Sequence, residues 1–256
     1  MDLGDKVSLV TGGAGGIGTE VCERLAALGS FVYVCDIKRA TEVANCINAK
    51  YQEPRADSAK CDISSREEVE AMYALISEQR DGVDILINNA AVYGPLKAHN
   101  FPDISYEDFI STIQVDLSGA MYCTLLALPY MKQKGWGRII FAAAPMSSSG
   151  IPSPYLAGKA GFIGLTKYLS QRFGQDGIWT FALALRHVDT PLIRRVMESR
   201  GWDPEEGVRA MHEKSSTGRM IAPEEIADVY AHFILASSPR ISGTVILADG
   251  GITYLR

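Results

Sequence analysis

The chain has 256 residues, is 47% hydrophobic and carries a net charge of −5 from 25 basic and 30 acidic side chains. That length suits one large α/β domain or two small ones, with ample apolar material for a core. Mild acidity without any block of like charge speaks against nucleic acid or an anionic membrane as partner.

In chain order, short apolar runs alternate with helix-length periodic segments. Val7–Thr11 predicts the first strand and residues 17–28 the first helix. Strands follow at 31–35 and 55–61, then a helix over 66–79 and a strand at 85–87. A long amphipathic stretch, 108–132, precedes a strand at 138–143. Residues 154–173 predict a helix, 180–185 the sixth strand, 224–235 a helix and Thr244–Ala248 the seventh strand. This alternation implies βαβ units. Strands apolar throughout fit a sheet covered on both faces. The expected fold is α/β, a single Rossmann-type domain over 1–256. About seven mostly parallel strands form a doubly wound sheet, with a small lid over 191–218 after the sixth strand.

No apolar run is long enough to span a membrane, and Met1 leads directly into Asp2 and a strand, so no signal peptide is expected. The five cysteines, Cys22, Cys35, Cys46, Cys61 and Cys123, are odd in number and widely spread. They read as reduced thiols rather than disulfides or metal ligands. The expectation is a cytoplasmic protein with no metal and a small-molecule substrate.

The segment VSLVTGGAGGIGTEV, residues 7–21, begins as a strand and ends as a helix. Gly12, Gly16 and Gly18, with Ile17 opening the helix, form a first βα turn where a backbone without Cβ can lie against a pyrophosphate. Asp36 ends the second strand 18 residues after Gly18. Its carboxylate is placed to accept from an adenosine ribose and to repel a 2′-phosphate. The bland alternative is a solvated loop carboxylate. NAD is therefore favoured over NADP, although Lys38 and Arg39 nearby could tolerate the extra phosphate. Later, Tyr155 and Lys159 stand four apart and share a helix face. A phenol titrates near ~10 unperturbed, and a neighbouring ammonium together with a positively charged nicotinamide is expected to lower that value. The pair can then carry the proton in an alcohol–ketone interconversion. The alternative is a core tyrosine beside a surface lysine.

The glycine spacing T-G-x-x-x-G-x-G joins CDI at 61–63, INNAA at 87–91, YLAGK at 155–159, VDTP at 188–191 and ADGG at 248–251. On these motifs, from Leu3 to Gly251, the chain resembles the short-chain dehydrogenase/reductase family. The resemblance implies an NAD-dependent oxidoreductase acting on secondary alcohols and ketones. In it Asp62 and Ile63 flank the adenine, and Asn89 holds the strand behind the adenosine half. Tyr155 is the proton donor/acceptor, Lys159 tunes it and anchors the ribose, and Val188 and Thr190 touch the nicotinamide end. It also implies a homo-oligomer, a tetramer or dimer, built through the helices that hold Asp116 and Tyr155.

Four departures from the family stand out. The serine expected at the end of the fifth strand is alanine in every register, Ala142, Ala143 or Ala144, with Ser147, Ser148 and Ser149 in the loop beyond as possible replacements. Asp116 takes the place of a proton-relay asparagine, so a buried acid there would either pair with Lys159 or titrate high. The Pro-Gly after the sixth strand becomes Leu185-Arg186, followed by His187, and Ala91 replaces a glycine. Arg186, His187, Arg194 and Arg195 either meet an anionic substrate or are solvated charges. The remaining cleft candidates, Val92, Tyr93, Pro95, Leu96, Pro145, Met146, Leu192 and Trp202, favour an apolar or cyclic substrate. Because the serine is missing, two alternatives stay open. One is NAD-assisted isomerisation, elimination or internal redox chemistry, and the other a non-enzymatic cofactor sensor.

Overall fold

A computed structural model describes residues 2–93, 103–145 and 153–251. Its seven strands are β1 (Val7–Thr11), β2 (Phe31–Asp36), β3 (Ala56–Lys60), β4 (Ile85–Asn88), β5 (Gly137–Ala143), β6 (Ile178–Leu185) and β7 (Thr244–Ala248). All pair in parallel, in the order β3-β2-β1-β4-β5-β6-β7. The central strands β1, β4 and β5 are buried at every position, which is why their sequences show no polar alternation. The edge strand β3, ADSAK, can carry polar residues because only one flank is paired. The order in which strands are added reverses between β1 and β4, which run parallel with their C-terminal ends in register at Thr11 and Asn88. A crevice opens at such a switch point.

Two apolar clusters line the sheet faces. Helices α1 (Gly16–Ala27), α2 (Ala40–Asn48) and α9 (Pro223–Ile234) close one side through Val21, Leu25, Val43, Ile47, Ile226 and Tyr230. Helices α3 (Arg66–Arg80), α5 (Ala120–Lys134) and α6 (Ser153–Phe173) close the other through Val69, Ile76, Cys123, Met131 and Phe162. The predicted helix over 108–132 is longer and irregular. It comprises α4 (Tyr106–Ile113), a π-helical turn over Gln114–Gly119, and α5. This continuous 29-residue helix is long and apolar enough to cross a membrane, which corrects the expectation that no such run exists. Here its apolar stripe, including Cys123, Ala127 and Met131, packs against the sheet.

Three helices were not anticipated. α2 is only nine residues long and begins after a left-handed Arg39 with no side-chain cap, so it carries few local start signals. α7 (Pro191–Ser199) and α8 (Pro204–Lys214) occupy the segment expected as a lid, and join through Met197, Val208 and Met220. Their start signals were present in the sequence. Proline opens each helix, and the Asp203 side chain accepts from Glu206 N at 2.8 Å.

Candidate active site

The glycine turn after β1 is shaped by close backbone approaches. Gly12 is left-handed (φ 63°), and a Cβ there would lie 2.8 Å from Ala90 Cα. A Cβ on Gly18 would lie 2.1 Å from Gly12 O, so α1 can sit this close to the turn only with glycine at that position. Asp36 braces the turn: its Oδ2 accepts from Ala14 N at 3.2 Å and its Oδ1 from Lys38 N at 3.0 Å. Asn89 Nδ2 donates to Thr11 O at 3.2 Å and Gly12 O at 3.1 Å, which ties the end of β4 to the same turn. The Gly15 N-cap of α1 has no side-chain cap, leaving that helix end suited to an anion.

A cavity of about 770 Å³ starts at this turn and runs across the strand ends. Its described wall contains Gly12, Gly16, Ile17, Asp36, Asn89, Tyr155, Lys159, Val188 and Thr190, so nine sequence-selected residues converge on it. Gly18, Asp62, Ile63 and Asp116 are not on the wall. The Asp62 carboxylate accepts from Ser64 N and Oγ at the start of α3, and Ile63 is a buried core residue. Ala142, Ala143 and Ala144 all face the cavity, as do Tyr93, Leu192 and Trp202. Pro95, Leu96, Met146, Ser147, Ser148 and Ser149 lie outside the described residues.

Tyr155 and Lys159 share the inner face of α6. Lys159 is buried, with Nζ 5.2 Å from the Tyr155 ring centroid and 5.0 Å from that of Phe162. The Tyr93 ring packs on Tyr155 at 5.0 Å between centroids. In the protein alone, burial, then the Asp116 carboxylate, raises the Tyr155 phenol well above its ordinary range. Burial likewise pulls Lys159 down to about 8, opposed by Asp116. In this field the phenol keeps its proton and is a donor near neutral pH.

Asp116 occupies the π turn and is fully buried. Its Oδ1 accepts from Val92 N at 2.6 Å, and Oδ2 has no hydrogen-bond partner among the described residues. Of the two outcomes expected for a buried acid here, the second holds. Burial pushes the carboxyl up to about 6 against the pull of Lys159, and no ion pair within 4.0 Å joins the two among the described residues. The folded chain therefore holds this proton between about 3.8 and 6, where the unfolded chain releases it. Stability from this group is full below about 3.8 and lost as pH rises through 6. Asp116→Asn is thus expected to stabilise the fold near neutral pH by about 1–2 kcal/mol, after allowance for Lys159 losing its neighbour, with little change near pH 4. Thermal unfolding at both pH values checks this, and destabilisation near neutrality would show that the Asp116–Lys159 attraction outweighs the burial cost.

After β6, Arg186 and His187 both line the cavity. The left-handed residue is His187 (φ 53°), one position beyond the Leu185-Arg186 pair aligned with the family's Pro-Gly. Burial, then Arg186, lowers the imidazole to about 4, so it is neutral. The two lid arginines part company: Arg194 pairs with Asp189, whereas Arg195 lines the cavity. Sequence reading did not single out Arg200 or Met211, which face the cavity from the C-cap of α7 and from α8.

A family model described as Enoyl-(Acyl carrier protein) reductase matches residues 12–253. The chain is 32% identical to D-beta-hydroxybutyrate dehydrogenase of Cupriavidus necator, over 97% of this chain and 98% of that one. Among solved structures, levodione reductase superposes with a TM-score of 0.89 at 26% identity, covering 96% of this chain and 97% of the other. A variant of actinorhodin polyketide ketoreductase with NADPH superposes with a TM-score of 0.87 at 29% identity, covering 98% and 99%.

Proposed function

The chain belongs to the short-chain dehydrogenase/reductase family, nicotinamide-dependent oxidoreductases acting on hydroxyl and ketone groups, and we propose that it uses NAD to interconvert a secondary alcohol and a ketone on a small apolar or cyclic substrate. The observation that carries this reading is the convergence of the glycine turn, Asp36, Tyr155 and Lys159 on one cavity.

The residues fit a dinucleotide. The turn is a cradle that a Cβ at Gly12 would crowd, the end of α1 is uncapped, and Asp36 stands at the adenosine end. Gly12, Gly16, Ile17, Asp36, Asn89, Val188 and Thr190 would hold it, with Asp62 and Ile63 at the adenine side. When bound, the nicotinamide supplies or takes up the hydride. Tyr155 gives its proton to the forming alkoxide in reduction and takes it from the alcohol in oxidation. Lys159 anchors the ribose and holds positive charge beneath the ring, and the Asp116 carboxylate favours its charged form. The three alanines offer the substrate oxygen no hydroxyl. That favours a second reading, in which bound NAD serves isomerisation, elimination or an internal redox cycle.

The test is NADH oxidation on a panel of cyclic and aromatic ketones. Tight NADH binding without Tyr155-dependent turnover on any of them would leave the second reading. For the cofactor, NADH is expected to bind at least ~10-fold tighter than NADPH, and Asp36→Ser to bring the ratio near unity. Arg39 does not offset this preference, since Nε and Nη2 donate to the two Glu42 oxygens at 2.9 Å each. Competitive fluorescence titration reads the ratio, and an unchanged ratio in Asp36→Ser would remove Asp36 from cofactor selection. We also propose a cytoplasmic homo-oligomer, built through the exposed Met121, Leu125 and Tyr168 on α5 and α6.

A further inference from the structure

The cavity wall carries an unbalanced charge. Arg39, Lys159, Arg186, Arg195 and Arg200 line it, and the one carboxylate among its described residues is Asp36. Apart from Lys159, which stands with Tyr155 on α6, the cations fall into two groups. Arg39 stands beside Asp36 at the adenosine end and is held by Glu42. Arg195 belongs to α7, which begins where Thr190 and Pro191 pack against Gly16 of the phosphate-binding turn. Arg186 and Arg200 remain, and both act on the same phenol. Burial raises the Tyr93 hydroxyl, while Arg200, hydrogen-bonded to it, and Arg186 pull it down. Tyr93 in turn packs on Tyr155 at 5.0 Å.

Two arginines from separate places in the chain, one just after β6 and one just after α7, therefore line the same cavity as Tyr93, whose ring packs on the candidate proton donor. Arg194, three residues after Pro191, pairs with Asp189 outside the cavity. No described carboxylate lies within 4.0 Å of Arg186. Like charges in a concave, partly buried site raise the local positive potential, and a guanidinium fork matches a carboxylate in geometry as well as charge. The rest of this end, with Ala142, Ala143, Ala144, Leu192 and Met197, gives a substrate body apolar contact.

We propose that the Tyr155 end of the cavity is a carboxylate subsite, in which Arg200 and Arg186 hold the carboxylate of an oxo or hydroxy acid whose reacting carbon faces Tyr155. This rests on the oxidoreductase reading and narrows its substrate class to apolar or cyclic molecules bearing an acid group. The subsite sets specificity, and the phenol and lysine carry the proton chemistry as before.

Calorimetric titration in saturating NAD, with which a ketone cannot react, tests the subsite independently of turnover. The probes are 3-oxobutanoate and 4-oxocyclohexanecarboxylate, each against its own carboxamide. At least one acid is expected to bind about 30- to 100-fold more tightly than its amide, the range of a charge-assisted contact. Arg200→Met should collapse that ratio to within about threefold, and Arg200→Lys should keep about tenfold, because an ammonium retains the charge without the fork. A variant with a damaged fold lowers both affinities together and leaves the ratio intact. The proposal is overturned by a ratio below about threefold for both pairs in the native chain, or by a preference that survives in both Arg200→Met and Arg186→Met. It is also overturned if Arg200→Met weakens NAD binding more than tenfold with the ratio unchanged, which would assign Arg200 to the cofactor phosphates. Acid preference without turnover of either ketone leaves the subsite standing and removes the oxidoreductase reading. Turnover of neutral ketones without acid preference does the reverse.

Discussion

Tyr155→Phe is expected to slow ketone reduction by two to four orders of magnitude while NADH affinity stays within about twofold. The substitution keeps the ring and with it the contact to Tyr93, so the cavity wall is preserved and only the hydroxyl is lost. The three alanines that face the same space have no proton to give. Lys159, pulled down to about 8, is the neighbouring group able to release one near neutral pH. Any residual rate in Tyr155→Phe should therefore vanish in the double variant with Lys159→Met. Single-turnover measurement of NADH oxidation separates this chemical step from product release. A Tyr155→Phe chain that keeps more than a tenth of native turnover would remove the phenol from the reaction.

Gly18→Ala is expected to abolish cofactor binding, raising the NADH dissociation constant at least ~100-fold, and to destabilise the fold by about 1–3 kcal/mol. The new methyl would lie 2.1 Å from Gly12 O and 2.8 Å from Gly13 Cα. Both are backbone atoms, so relief requires α1 to move off the turn rather than a side chain to swing aside. Gly12 cannot retreat, because its left-handed backbone already lies against Ala90 and Asn89. Gly164 is the internal control: it sits within α6, and an added Cβ meets nothing within 4 Å. Gly164→Ala should stabilise the helix by about 0.5–1 kcal/mol and leave NADH binding unchanged. Fluorescence titration beside thermal unfolding reads both effects. If Gly18→Ala binds NADH within threefold of the native chain, the turn is not the cofactor cradle.

The irregular helix that carries Asp116 marks one limit of reading from sequence. Its apolar period runs through 108–132 without interruption, so nothing local announces the π turn. Its position follows from packing. A Cβ on Gly119 would lie 2.6 Å from Ile63 O, and one on Gly158 would lie 2.9 Å from the Asp116 Cβ, so the helix is squeezed between the β3–α3 connection and α6. Helices α7 and α8 mark an oversight of a different kind, since Pro191 and the Asp203-Pro204 pair are legible start signals.

The order of strands and helices, the glycine turn with Asp36, and the shared face of Tyr155 and Lys159 were determined by the sequence itself. Each depends on short-range periodicity or spacing, which the chain carries wherever it goes. The tertiary structure decided the sign of the Tyr155 shift, the lone proton on Asp116 and the fate of the arginines. Desolvation is a property of what surrounds a group, and the burial of Tyr155 outweighs a lysine that spacing alone would have credited. Arg194 and Arg200 stand six positions apart on one short segment, yet the first pairs with Asp189 and the second reaches the cavity beside Tyr93. Only the packing of α7 against α8 at the cavity edge separates the two.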